Sequence, residues 1–143
     1  MYNFRVLVLV LLLILVPDVQ SNEQIPVNVN TVEKFVAAFN AQDSHAMASL
    51  VADDIEWLSI VSNEVIVEAR GKSNLIESMD TYFKSCSTCR SELSEMVSTT
   101  SRVSAVEVAS WQEKSGIRSQ RAISVYEFSD GLIIRVYYFP AEK

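Results

Sequence analysis

Residues that commonly hold metals and phosphates are scarce in this sequence. Its 143 residues include one histidine, His45, and two cysteines, Cys86 and Cys89. A structural zinc site takes about four such ligands, so we expect no metal. His45 is isolated and should be solvated in the first turn of a helix, which leaves no Ser/His/Asp or Cys/His arrangement. With three glycines and no phosphate loop or dinucleotide fingerprint, the sequence also predicts no cofactor.

Positive charge is also in short supply. The chain has 12 Lys and Arg against 18 Asp and Glu, a formal net charge of −6, and its cations are scattered. Such a surface repels polyphosphate and anionic lipid, so we expect no nucleic-acid partner. The length suits one domain with a real core, because 49% of the residues are hydrophobic.

The longest apolar run is too short to span a bilayer. It extends from Val6 to Val16 between Arg5 and Pro17, whereas a membrane helix needs about 20 residues. A charged start, a short apolar middle and the small residue Ser21 are typical of a secretory signal. We therefore predict a signal peptide over residues 1–21, a secreted or periplasmic product, and no membrane association after cleavage. An uncleaved anchor is the alternative.

The two cysteines lie close together in the segment CSTC. An oxidising compartment favours a disulfide between Cys86 and Cys89, with a modest effect on stability because the loop is short. A redox role would need a lowered thiol pKa, and the intervening Ser87 and Thr88 supply no charge.

Hydrophobic periodicity predicts helices first and strands afterwards. A linker over 22–29 precedes a helix that carries Val32, Phe35, Val36 and Phe39 on one face. A shorter helix begins at Asp43 or Ser44, and a third covers 74–85. Strands are predicted from Ile55 onward, over 65–69, 91–103, 105–113, 118–128 and 132–139, with a hairpin at Ser129–Gly131. This order indicates one α+β domain over residues 30–143.

Three stretches in this order carry a family resemblance: ADDIEW, GKSNLIESMDTYF and GLIIRVYYF. The chain from about residue 30 to 139 resembles the nuclear-transport-factor-2-like superfamily, which includes the SnoaL-like polyketide cyclases and the ketosteroid isomerases. The resemblance implies a curved antiparallel sheet wrapped around about three helices, with a pocket inside the cone. It also implies a homodimer formed through the outer face of the sheet.

The catalytic groups of the ketosteroid isomerases are missing. Aligned through ADD, the positions of their tyrosine and base hold Phe35 and Ser59, and the position of their second acid, counted back from Phe128, holds Ser124. We therefore reject isomerase chemistry of that type. In the same alignment Asp53 and Asp54 fall in a helix-to-strand turn, where they satisfy backbone donors. Glu56 is expected outside the cone.

One carboxylate remains a candidate for chemistry. Alternation in AVEVASWQE places Glu107 on one face with Ala105, Ala109 and Trp111, and the resemblance favours the inner face. A buried Glu107 could serve as general acid or base. A register shifted by one would instead bury Val106 and Val108. The predicted pocket lining is Phe35, Phe39, Trp57, Ser59, Trp111, Gln120, Ser124, Tyr126 and Tyr138, with Ile134 and Val136 also inside the cone.

Three functions compete at this point. The first is an exported module that binds a small, largely apolar molecule in the pocket. The second is a cofactor-free cyclase, hydratase or lyase that uses Glu107, with Tyr138 or Gln120 polarising a carbonyl. The third is a non-catalytic assembly domain whose interior is filled by side chains. The outer face favours a homodimer because it is too apolar for a solvated sheet: it carries Leu58, Ile60, Ile123, Val125 and Ile133 beside Arg121 and Arg135.

Overall fold

The computed structural model describes residues 20–141. The predicted signal peptide, apart from its last two residues, lies outside this range. None of the described helices is long and apolar enough to cross a membrane. The elements in chain order are α1 (Gln20–Asn40), α2 (Ser44–Ser49), β1 (Val51–Val61), β2 (Glu64–Arg70), α3 (Lys72–Ser85), β3 (Arg90–Ser98), β4 (Arg102–Glu113), β5 (Gly116–Ser129) and β6 (Leu132–Phe139).

The strands form one curved, open sheet in the order β2-β1-β6-β5-β4-β3. Neighbouring strands are antiparallel except β1 and β6, which are parallel. The helices cover the inner face, where α1 contacts β3 and β4 and α3 contacts β1 and β2. Val32 and Phe35 of α1 enter one core with Ile55, Tyr126 and Val136 of the sheet. The predicted α+β class and curved sheet around three helices are confirmed.

Short-range signals begin and end several elements as expected. The Asp43 side chain caps α2 by accepting a 2.8 Å hydrogen bond from the backbone N–H of Ala46. Gly71, before α3, has a φ of 84°, a region that favours glycine. Asp130 and Gly131 both have positive φ in the β5–β6 hairpin, as a tight primed turn requires.

Residues 22–29, predicted as a linker, belong to α1 instead. Pro26 lies inside the helix and cannot donate a backbone hydrogen bond there. Tertiary contacts compensate, because Asn28 is fully buried and donates from Nδ2 to the carbonyl of Thr100 at 3.1 Å, while Gln24 donates to its Oδ1. Docking of this turn against the sheet therefore overrides its weak helix propensity.

Two predicted boundaries were also wrong. Asp53 and Asp54 lie within β1 and not in a turn, because Val51 already pairs with Ile133 of β6 and the ladder is irregular between Val51 and Glu56. Asp53 pairs with Lys72 at 2.9 Å. The predicted strand over 91–103 is two strands, because the chain turns between Ser98 and Arg102 without a glycine or proline to mark the turn.

The registers of β4 and β6 decide which side chains face inward. Glu107 is buried, so the register that places it inside is the one observed, while Val106 and Val108 are partly exposed. Ile133, expected on the outer face, is fully buried in the core. The β5–β6 ladder shifts between Glu127 and Phe128, which turns Ile133 inward and leaves Ile134 as the extra residue of a bulge.

Charged residues form a row across the outer face of the sheet, which we call the outer ladder: Arg70, Glu56, Arg135, Glu127 and Arg102. Glu56 forms salt bridges with Arg70 at 2.9 Å and with Arg135 at 3.0 Å. Glu127 forms salt bridges with Arg102 at 2.8 Å and with Arg135 at 3.2 Å. Each carboxylate of the ladder therefore lies between two arginines.

The arginines lower the carboxyl pKa values of the ladder. The pKa of Glu56 lies below its ordinary value of 4.5, chiefly because Arg135 donates a hydrogen bond. Burial acts to raise the pKa of Glu127, but hydrogen bonds from Arg102 and Arg135 outweigh it and the pKa is again lowered.

Candidate functional site

A cavity of about 680 Å³ opens between the helices and the inner face of the sheet. Its volume is within the range of small-molecule sites. Side chains of α1 and α3 form one wall, and all six strands contribute to the other, β3 through Arg90 and Ser91. The wall residues are Phe35, Val36, Phe39, Trp57, Ser59, Glu68, Ala69, Glu77, Ser78, Met79, Thr81, Tyr82, Cys89, Arg90, Ser91, Glu107, Ala109, Ser110, Trp111, Gln120, Tyr126 and Tyr138.

Aromatic rings make much of this wall. The ring centroid of Phe35 lies 6.0 Å from that of Trp57 and 6.0 Å from that of Tyr126, and the Phe35–Tyr126 pair is packed edge to face. Toward α3, Phe39 packs against Tyr82 at 5.8 Å and Phe83 at 5.4 Å. Such pairs add to the stabilisation from burial alone. The rings thus provide a rigid apolar surface without filling the interior.

Glu107 is the buried acid of the cavity, with 8% of its surface exposed. Its Oε1 accepts a short hydrogen bond from the Tyr126 hydroxyl, and its Oε2 accepts one from Ser91 Oγ at 3.1 Å. Ser91 is itself held by Asn40, which accepts from the Ser91 N–H at 2.7 Å and donates to its carbonyl at 2.8 Å. The end of α1 therefore positions a donor to the carboxyl group.

Both tyrosines beside Glu107 stay neutral over a wide pH range. Burial raises the pKa of Tyr126 well above its ordinary value of 10.0, and the adjacent Glu107 raises it further. Burial and Glu107 likewise raise the pKa of Tyr138. A neutral phenol donates a single hydrogen bond, which Tyr126 gives to Glu107, so Tyr138 is the one of the two that can stabilise another anionic oxygen. Neither can act as a base near neutral pH.

The rim of the cavity contains the predicted disulfide, which joins Cys86 and Cys89 between α3 and β3. The loop is tied to its surroundings by Gln42, which donates to the Ser87 carbonyl at 2.7 Å, and by Thr88, whose Oγ1 accepts from the Gln112 N–H at 3.0 Å. Cys89 is part of the cavity wall. The disulfide therefore constrains the backbone that leads into Ser91.

Most residues proposed from sequence for the pocket lie in its wall. The exception is Ser124, which is fully buried behind the wall. Phe35 and Ser59, two of the positions where an isomerase would carry working groups, lie in the wall without such groups. His45 is exposed and away from the cavity. Within residues 20–141, no three His, Cys, Asp or Glu side chains are grouped as metal ligands.

The sequence reasoning missed the contribution of α3 and the rim. Glu77, Tyr82 and Ser91 line the cavity, yet none was proposed as lining. Tyr82 lies at helical spacing from Leu75 and Met79 in α3, so that position had a signal in the sequence. Ser91 could be found only through strand pairing. It lies opposite Ala109, two residues before Leu93, which is the strand partner of Glu107.

Comparison with solved structures supports the same architecture. Bal32a, from a soil-derived mobile gene cassette, superimposes with a TM-score of 0.69 at 19% identity, covering 80% of this chain and 89% of its own. TerC, co-crystallised with polyporic acid, superimposes with a TM-score of 0.68 at 15% identity, covering 80% of this chain and 91% of TerC. RV0760c from Mycobacterium tuberculosis, in complex with estradiol-17beta-hemisuccinate, superimposes with a TM-score of 0.65 at 16% identity. The match covers 78% of this chain and 92% of RV0760c. These identities establish the fold and not a shared activity.

Curated protein sequences yield no match to this chain. The family model for the SnoaL-like domain, however, matches residues 32–136, most of the chain. This match covers every wall residue of the cavity except Tyr138 and confirms the resemblance drawn from the sequence. The chain therefore belongs to the SnoaL-like domain family, with the nuclear-transport-factor-2-like fold.

Proposed function

We propose that this domain binds a small, largely apolar molecule in the cavity, with Glu107 and its hydroxyl partners holding a polar group of that molecule. The supporting observation is an open space of about 680 Å³ with aromatic walls and one buried carboxyl group. Structural relatives bound to polyporic acid and to a steroid hemisuccinate are consistent with this use of the fold. The assembly alternative required a filled interior, which the cavity volume does not support.

Native mass spectrometry of the purified protein tests this proposal directly. We expect a discrete small molecule that is released on mild denaturation. In parallel, the neutral apolar dye N-phenyl-1-naphthylamine should bind and fluoresce. Ala109→Phe, which places a ring in the cavity, should abolish dye binding, whereas Ala37→Phe on the exposed side of α1 should leave it unchanged. Equal dye binding by both variants would contradict the proposal.

A second candidate function is cofactor-free acid–base catalysis, as in a cyclase, hydratase or lyase. It is favoured by the contact of Glu107 with Tyr126 and by the position of Tyr138 and Gln120 in the same wall. Glu107 would transfer the proton, and a neutral Tyr138 would stabilise the developing oxyanion. With the molecule from native mass spectrometry as substrate at saturating concentration, Glu107→Gln should abolish turnover. An unchanged rate would exclude Glu107 as the base.

We further propose that the outer face pairs with a second copy of the chain. Val65, Val67, Ile123 and Phe139 support this, because their apolar side chains are exposed on that face. Sedimentation velocity should give a dimer for the natural chain and a monomer for Ile123→Asp. The same sedimentation coefficient for both proteins, whether monomer or dimer, would argue against this interface.

The proposed setting is outside the cytoplasm. The apolar run over Val6–Val16 and the Cys86–Cys89 disulfide support export to an oxidising compartment. Intact-mass measurement of protein recovered from the periplasm or medium should show loss of residues 1–21. Recovery of the full chain only in the cytoplasm would contradict this proposal.

A further inference from the structure

Charged side chains in the cavity are mostly acidic. Glu68, Glu77 and Glu107 line it, and Arg90 is the one cation among the described wall residues. None of the three glutamates takes part in an ion pair within residues 20–141, whereas Glu56, Glu95, Glu113 and Glu127 elsewhere on the sheet are each paired with arginine. Glu68 and Glu77 are exposed, so Glu107 is the buried acid of the cavity, and it has no basic partner in the described part of the chain.

Glu107 is the most buried of these acids, and its described partners are neutral. It accepts only from the hydroxyls of Tyr126 and Ser91. Buried carboxylates are ordinarily compensated by a cation, because an isolated charge is costly to remove from water. An ionised carboxylate also has about four acceptor positions, so positions remain for a donor that enters the cavity.

Arg90 does not supply the missing positive charge. Its Nη1 donates to the carbonyl of Cys89 at 2.6 Å and to that of Ser87 at 3.2 Å. These bonds hold the guanidinium at the disulfide loop on the rim, and the residue is exposed. No carboxylate is within ion-pair distance of it among residues 20–141.

The aromatic walls suit a cation as well as an apolar body. The faces of tryptophan and tyrosine rings attract ammonium groups through their quadrupole. Trp57, Trp111 and Tyr138 all line the same space as Glu107. Carboxylates and aromatic faces in one cavity recognise organic cations through charge and ring contacts together.

From these contacts we infer that the ligand of this cavity is an apolar organic cation, with an amine or ammonium nitrogen directed at Glu107 and a hydrophobic body against the aromatic walls. This inference rests on the proposed binding function and specifies its ligand class. The nitrogen would donate to the free acceptor positions of Glu107 while Tyr126 and Ser91 keep their present hydrogen bonds.

Three probes with one skeleton test the inference on the mature wild-type protein: 4-phenylbutylamine, 4-phenylbutan-1-ol and 4-phenylbutanoate. Trp57 and Trp111 are the only tryptophans of the chain, and both line the cavity, so their fluorescence reports occupancy. The amine should bind about tenfold or more tightly than the alcohol, and the acid should bind most weakly. An alcohol or acid that binds as tightly as the amine would overturn the inference while leaving apolar binding intact.

A variant pair assigns the effect to the cavity carboxylate. Glu107→Gln retains the size of the side chain and an oxygen that can accept from Tyr126, and should bring the amine affinity to within about threefold of the alcohol affinity. Glu33→Gln changes the net charge equally on the exposed surface of α1 and should preserve the preference for amine. An amine preference retained by Glu107→Gln would contradict the inference. Absence of binding by all three probes would instead count against the proposed function itself, and with it the inference.

Discussion

Carboxylates have different partners on the two faces of the sheet. On the outer face, Glu56 and Glu127 each lie between two arginines. On the inner face, Glu107 is more deeply buried yet contacts only hydroxyl groups. Ion pairs on the outer face, which is exposed in the single chain, contribute modestly to stability, whereas a buried acid without a countercharge is costly to the free protein. The difference separates a stabilising network from the site for which we propose a ligand.

The largest expected effect lies on the inner face, where stability depends on packing. Phe35 is 2% exposed and contacts both Trp57 and Tyr126. Phe35→Ala should lower the free energy of unfolding by about 3–5 kcal/mol, since it leaves a hole in the core. Urea denaturation would measure the loss. Arg135→Ala, at the centre of the outer ladder, should cost much less than Phe35→Ala, because exposed ion pairs contribute little to stability. Similar losses for the two variants would remove the distinction between the faces.

A matched pair of hydroxyl deletions gives the next effect. Tyr126→Phe removes a buried donor to Glu107, and should cost about 2 kcal/mol because the carboxyl group loses a partner that water replaces poorly. Tyr137→Phe removes a donor to Glu127 at 3.3 Å on the outer face. Two arginines remain for Glu127, so this loss should stay below about 0.5 kcal/mol. Thermal unfolding of both variants would show whether the cost depends on the face.

The smallest effect is the response of the outer ladder to acid. The carboxyl pKa values of Glu56 and Glu127 are lowered from 4.5 in the folded protein. Their stabilisation is therefore complete above pH 4.5 and is lost as the pH falls through the lowered folded values. Urea midpoints measured from pH 6 to pH 3 should decrease.

The control for this titration is Glu127→Gln. It removes one of the two titrating groups of the ladder and retains the response of other carboxylates, including Asp53 and Glu113, whose pKa values are also lowered. Its acid response should be shallower than that of the natural chain, and 1 M salt should reduce the difference by screening the exposed pairs. Parallel pH curves would indicate that Glu127 contributes nothing to stability at neutral pH.

Patterns of short period predicted most of the fold. Helical spacing identified the inward face of α1, and alternation identified Trp57, Trp111 and Tyr126 as wall residues. The family resemblance supplied the curvature and the cavity. One failure depended on a contact distant in sequence: α1 extends over 22–29 because Asn28 reaches Thr100. Another depended on a local irregularity that alternation does not reveal: Ile133 turns inward because of a bulge in the β5–β6 hairpin, opposite Phe128.

The candidate site was predicted less completely, for a related reason. Alternation alone allowed Glu107 to lie on either face, because a slip of one residue exchanges the two sides of a strand. The partners that define its environment, Tyr126 and Ser91, come from different strands, and Asn40 comes from a helix. Which acids lack an arginine is a property of the assembled sheet and cannot be read from composition.

Strand order also determines when the cavity can exist. Before β6 is in place, β1 pairs only with β2, and β3, β4 and β5 form a separate meander. β6 follows the other strands in sequence and pairs with both β1 and β5. Its pairing with β1, which joins the two parts, is distant in sequence and therefore slow to form. Trp57 belongs to one part, and Glu107 and Tyr126 belong to the other. The proposed binding site is therefore complete only when β6 has paired with β1, so β6 must be synthesised and in place before a ligand can be enclosed.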